Sequence, residues 1–151
     1  MRKLPVINYL FRLVKYFLRP FVLDIVIRDI RIFGDKNRLR ISNKACMTNT
    51  LFNTYSGNIS IDDYTFSGHN VSIITGTHDY DSKNIERING VPMEGRDITI
   101  GKGVWLGSNC TIIGPCTIGD NAVIGACSLV LKDVPANTIV AGVPAKIVKK
   151  I

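Results

Sequence analysis

Histidine is nearly absent from this 151-residue chain, which has only His69 and His78. A metal site built from three histidines therefore cannot be assembled within one copy. Cysteine is sparse as well: the four, at positions 46, 110, 116 and 127, show no CxxC spacing and no nearby histidine pair. That excludes a recognisable zinc motif or disulfide framework and leaves reduced, cytosolic thiols as the simpler reading. No apolar stretch is long and uncharged enough to span a bilayer, and the small-residue cleavage site of a secretory signal is missing. No aromatic-basic motif or recognition-helix pattern accompanies the basic residues, so nucleic acid is not an expected partner.

Charge and apolar residues are plentiful but unevenly placed. The net charge is +7, yet residues 1–44 carry eleven Lys/Arg against three acids while the remainder carries eight against nine. An amino-terminal part this basic points to an anionic surface or ligand. The stretch "LPVINYLFRLVKYFLRPF" places apolar residues at 6, 7, 10, 11, 13, 14, 17 and 18, with Arg12, Lys15 and Arg19 spaced three and four apart. This spacing predicts an amphipathic helix that ends before Pro20. Two roles suit it: capping or subunit packing at the end of the domain, or shallow contact of residues 4–19 with an anionic membrane surface.

A period of six dominates the rest. Aliphatic residues stand at Ile100, Leu106, Ile112, Ile118, Ile124 and Val130, and glycine follows four of them, at Gly101, Gly107, Gly119 and Gly125. Four residues after each aliphatic comes a small or β-branched residue: Val104, Cys110, Cys116, Ala122, Ser128 and Val134. Neither a helical stripe nor strand alternation has this period. One obligatory aliphatic, one small inward residue and a frequent glycine per hexad describe a short strand and a sharp bend, with glycine expected to relieve strain at the bend. Stacked coils put like residues over one another at about 4.8 Å and bury one continuous core. The predicted fold is all-β, a parallel β-helix. Ile61, Ser67 and Ile73 keep the step upstream, and Ile41 and Met47 continue it more loosely. Coils are expected from about residue 32 to 142, after a capping segment at 1–31, within a β-helix domain at 32–151. The charged, irregular stretch 79–97 breaks the period and is expected to be a loop excluded from the solenoid.

The segments "TGTHDYDS", "ITIGKGVWLGSNCTIIGPCTIGDNAVIGACSLVLKDVP" and "IVAGVPAKIVKKI", in this order, resemble the hexapeptide-repeat acyltransferases, whose members acetylate galactosides, maltose, xenobiotics and surface polysaccharides. The resemblance covers roughly residues 58–148 and implies a left-handed β-helix. Handedness comes from the resemblance alone, since parallel crossovers are right-handed in about 98% of cases.

The resemblance also implies roles for single residues. His78, where the loop leaves the scaffold, matches the family's general base, and an imidazole with a pKa near 6.5 suits proton exchange with a hydroxyl. Asp79 and Asp81 are candidates for orienting the ring or binding the acceptor. Trp105 matches the tryptophan beside the pantetheine arm of acetyl-CoA; packing beneath the loop is its alternative. Ser128, Lys132, Gly142 and Lys146 fall in the segments that grip CoA, the lysines as point charges for phosphate and Gly142 through close backbone approach. Cys127 stands where the family has glycine. Cys110, Cys116 and Cys127 read as core filler rather than acyl-accepting nucleophiles, and His69 as an exposed turn residue.

The expected activity is transfer of acetyl from acetyl-CoA to a sugar hydroxyl by a cytoplasmic enzyme, with the inner membrane surface as an optional location. No metal is expected, which sets aside the metal-dependent hydratases of this scaffold. A homotrimer sharing its active sites is implied. N-acetylation of an amino sugar and a non-catalytic solenoid stay open as alternatives.

Overall fold

The computed structural model describes residues 13–18 and 30–151. Residues 13–18 are helical with exposed side chains; the rest of the expected amphipathic helix, and with it the capping and membrane roles proposed for residues 4–19, lies outside the described residues.

From Arg31 onward the chain winds as a three-sided left-handed parallel β-helix. The first face stacks β1 (Arg31–Phe33), β3 (Leu51–Asn53), β6 (Ser72–Ile74), β9 (Thr111–Ile113) and β12 (Leu129–Val130). The second stacks β2 (Leu39–Ile41), β4 (Ile59–Ile61), β7 (Ile98–Ile100) and β10 (Cys116–Ile118), and Val134 extends it by a bridge to Ile118. The third stacks β5 (Phe66–Ser67), β8 (Trp105–Leu106), β11 (Val123–Ile124) and β13 (Thr138–Ala141), closed by an antiparallel β14 (Lys146–Lys150).

Register follows the hexad. Thr111 pairs with Leu129 and Trp105 with Val123, three hexads on in each case. The predicted ladder is the core: Ile100, Leu106, Ile112, Ile118, Ile124 and Val130 are all buried, as are Val104, Cys110, Cys116, Ala122, Ser128 and Val134. Burying each large aliphatic contributes roughly 1.5–3 kcal/mol.

The repeat glycines act differently from the expectation. None of Gly101, Gly107, Gly119 and Gly125 has a positive φ. The next coil lies directly against them: a Cβ on Gly107 would sit 2.5 Å from the Ala126 nitrogen. The bends are made two residues later by Asn49, Asn70, Asn109 and Cys127 on one corner and by Tyr64, Gly103, Asn121 and Asn137 on another, all left-handed. Asparagine tolerates that conformation better than most residues, and its amides join neighbouring coils, as Asn49 Nδ2 does to Asn70 Oδ1 at 2.6 Å.

The third corner, between first and second faces, is where the coils differ. There the second face begins five residues after the first in the regular coil (Thr111 to Cys116), eight in the two amino-terminal coils (Arg31 to Leu39, Leu51 to Ile59), and 26 in the third (Ser72 to Ile98). The large excursion holds a short helix, Asn84–Asn89. All irregular loops thus pile on one ridge.

Candidate active site

His78 sits on that ridge, exposed, just after the chain leaves β6. Thr75 is still scaffold: it is buried, and its N–H and hydroxyl both donate to the Asn53 carbonyl. Gly76 follows against Asn53, where a Cβ would lie 2.5 Å from the amide oxygen. Arg96 closes the loop's other end by donating from Nε to the Thr75 carbonyl at 2.8 Å. The base of the excursion is therefore fixed, and His78 leaves it in a defined direction.

The ring is held by the loop helix. His78 Nδ1 lies 2.9 Å from the Arg87 carbonyl oxygen. A carbonyl can only accept, so Nδ1 carries the proton in the neutral ring and Nε2 presents its lone pair. Arg87 in turn donates from Nε to the Ser82 carbonyl at 2.7 Å and from Nη2 to the Tyr80 carbonyl at 3.0 Å. The ring is thus oriented by a backbone carbonyl and by neither Asp79 nor Asp81. Asp79 receives the Ser82 hydroxyl at 2.5 Å and the Asp81 N–H at 3.0 Å, and these bonds, the hydroxyl foremost, hold its carboxyl below the usual carboxylate range. Both acids border a shallow hollow beside His78.

On its other side His78 opens into a cavity of about 350 Å³ lined also by Phe33, Asn53, Tyr55, Gly76, Thr77, Ile88 and Val91. Asn53, Phe33 and Tyr55 were not among the sequence candidates. The signal available for them was the surplus of turn-forming residues at 34–38 and 54–58, which departs from the 18-residue coil.

The remaining candidates gather elsewhere. Trp105 lies on the outer surface of the third face, stacked on Phe66 with centroids 5.9 Å apart. In a three-sided solenoid this face is opposite the His78 ridge, so within one chain Trp105 does not underlie the loop. Outward from Trp105 the register runs through Val123 and Ile139 to Lys149 on β14. Ser128 is only 2% exposed and its hydroxyl accepts the Gly142 N–H at 3.1 Å; the Gly142 carbonyl receives the Leu129 N–H. Both residues thus help to close the last coil, and Gly142, exposed and with φ +104, makes the turn into β14. Lys132 and Lys146 border a common cavity of about 360 Å³ at the carboxy-terminal end. His69 is an exposed corner residue.

Cys110 and Cys116 are core residues, and burial pushes their thiols up to about 12 and about 11. Neither is a thiolate at neutral pH. Cys127 differs from the expectation: it is exposed, on a corner with φ +57, because it occupies the left-handed position rather than the inward one.

Comparison with known proteins agrees with this architecture. Residues 97–132 match the family model "Bacterial transferase hexapeptide (six repeats)". The chain is 30% identical to a maltose O-acetyltransferase from Clostridium difficile 630, with 91% of this chain and 76% of that one covered and a TM-score of 0.57. The chain belongs to the hexapeptide-repeat acyltransferases. Other members of this family that it resembles are the galactoside O-acetyltransferase of Escherichia coli K12, 44% identical over 60% of this chain and 47% of that protein, and the putative lipopolysaccharide biosynthesis O-acetyl transferase WbbJ of the same strain, 48% identical over 38% and 30%. The chain spans about half the length, or less, of these curated relatives.

Proposed function

We propose that the protein transfers acetyl from acetyl-CoA to a sugar hydroxyl, with His78 as general base. The observation that carries this is the Nδ1 contact to the Arg87 carbonyl, which leaves Nε2 as the proton acceptor. Nε2 removes the proton of the acceptor hydroxyl as its oxygen attacks the thioester carbonyl. The tetrahedral intermediate then collapses, the carbon–sulfur bond breaks, and the imidazolium returns the proton to the departing CoA thiolate. Backbone N–H groups would stabilise the oxyanion. No acyl-enzyme is required, in keeping with the raised thiol values of Cys110 and Cys116.

The working unit is a homotrimer. Trp105 and His78 occupy opposite sides of one solenoid, so a site using both needs the third face of one copy beside the loop ridge of the next. The pantetheine arm would follow Trp105, Val123 and Ile139, which brings the phosphates toward the lysine-rich β14, Lys149 included, and to Lys146; Lys132, at the same end of the solenoid, is a second phosphate candidate. A carbohydrate acceptor is favoured by the galactoside, maltose and lipopolysaccharide chemistry in the relatives' names.

The test is acetyl transfer from acetyl-CoA to a panel of sugars by wild type and His78→Ala. A loss of about 10²- to 10⁴-fold in turnover is expected, with CoA still raising the melting temperature. Undiminished turnover in the variant would remove His78 from the mechanism.

A further inference from the structure

The His78 cavity does not end at its own walls. Phe33 and Tyr55 form a stacked pair, centroids 5.8 Å apart and planes 28° apart, and both border a second cavity of about 600 Å³ on their far side. That cavity is lined also by Gly34, Asp35, Arg38, Thr54 and Met93. The two hollows follow one another along the solenoid axis, from the third coil to the first, with the aromatic pair as the divider.

The divider stands on a braced base. Tyr55 N–H donates to Asn53 Oδ1 at 3.0 Å, the Thr54 hydroxyl to the Asp35 carbonyl at 2.8 Å, and Arg38 Nη1 to the carbonyls of Tyr55 at 3.2 Å and Met93 at 2.6 Å. Yet Phe33 and Tyr55 remain 61% and 44% exposed. Large aromatic faces held open by a rigid frame mark a binding surface. A pyranose ring has this complement: an apolar C–H face that packs on an aromatic ring and a rim of hydroxyls. Each hollow supplies polar partners for such a rim, Asn53, Thr77 and His78 in the first, Asp35, Arg38 and Thr54 in the second.

We infer that the acceptor is a glycan of at least two sugar units, the acetylated unit beside His78 and its neighbour in the Asp35–Arg38 hollow, with Phe33 stacking between them. This rests on the assignment of His78 as the base for acetyl transfer to sugars. A neutral glycan fits the second hollow better than a nucleoside diphosphate, because Asp35 sets a negative charge beside Arg38, the one cation lining it among the described residues, and Arg38 already donates to two carbonyls.

The experiment compares kcat/KM of the full chain for a methyl monosaccharide, the matching di- and trisaccharide, and a nucleoside diphosphate sugar, for wild type, Phe33→Ala and Phe33→Tyr. Wild type should favour the disaccharide over the monosaccharide by about tenfold, one ring contact's share of binding. Phe33→Ala should erase that preference, its kcat/KM falling about tenfold further on the disaccharide than on the monosaccharide while KM for acetyl-CoA holds within about twofold; Phe33→Tyr should keep it. Transfer to sugars without a length preference, an equal loss on both acceptors, or preference for the nucleoside diphosphate sugar overturns the inference and leaves the acetyltransferase assignment standing. Failure to acetylate any sugar overturns both.

Discussion

The carbonyl oxygen of Arg87 and the Nδ1 of His78 are 2.9 Å apart. Nine residues separate them in sequence, and the short helix Asn84–Asn89 brings them together. The side chain of the same arginine ties the preceding turn to that helix, so one residue supplies the ring's orienting acceptor and the staple that keeps it in place.

Arg87→Ala should therefore lower turnover without removing the base. Two hydrogen bonds at an exposed site contribute about 1 kcal/mol each at most, so a fall of roughly 5- to 30-fold in kcat is expected, with KM for acetyl-CoA unchanged. Steady-state kinetics over a pH series checks this.

Cys110 and Cys116 should make the fold sensitive to alkali. Their folded values of about 12 and about 11 lie above the 9.0 of an ordinary thiol. Burial keeps them neutral, so their contribution is fully present below pH 9 and declines as pH rises toward the folded values, where the unfolded chain alone gains thiolate. Urea midpoints measured from pH 8 to 11 should fall less steeply in a Cys110→Ala/Cys116→Ala variant than in wild type. In the native protein at pH 8, a thiol reagent should label Cys127 and Cys46 well ahead of the buried pair.

Cys127→Gly should stabilise the protein. The cysteine holds φ +57 at a corner where the coils above it use asparagine, and a residue other than glycine or asparagine pays about 1 kcal/mol there. A rise of a few degrees in melting temperature is expected for a domain of this size. No rise, or a fall, would mean that the thiol makes contacts that offset the backbone strain.

The solenoid was readable in the chain because its core is periodic. Every residue of the ladder from Ile100 to Val130 is inward, and the break at 79–97 marked the loop that His78 immediately precedes. The reading erred where two causes leave the same residue type: glycine serves close approach as well as bending, and Gly107 is the former. It also misplaced Cys127, since a substitution at a left-handed corner has no periodic signature of its own.

What the amino-acid order determined by itself is the stack: six-residue spacing fixes which side chains face inward, and apolar burial does the rest. Which residues meet at the site was decided by tertiary structure. Phe33, the neighbours Asn53 and Tyr55, and His78 come from three distant parts of the chain and share no motif; they converge because three successive coils release their surplus residues at one corner. The Arg87 carbonyl joins them through a helix that forms outside the repeat, where no period constrains the chain.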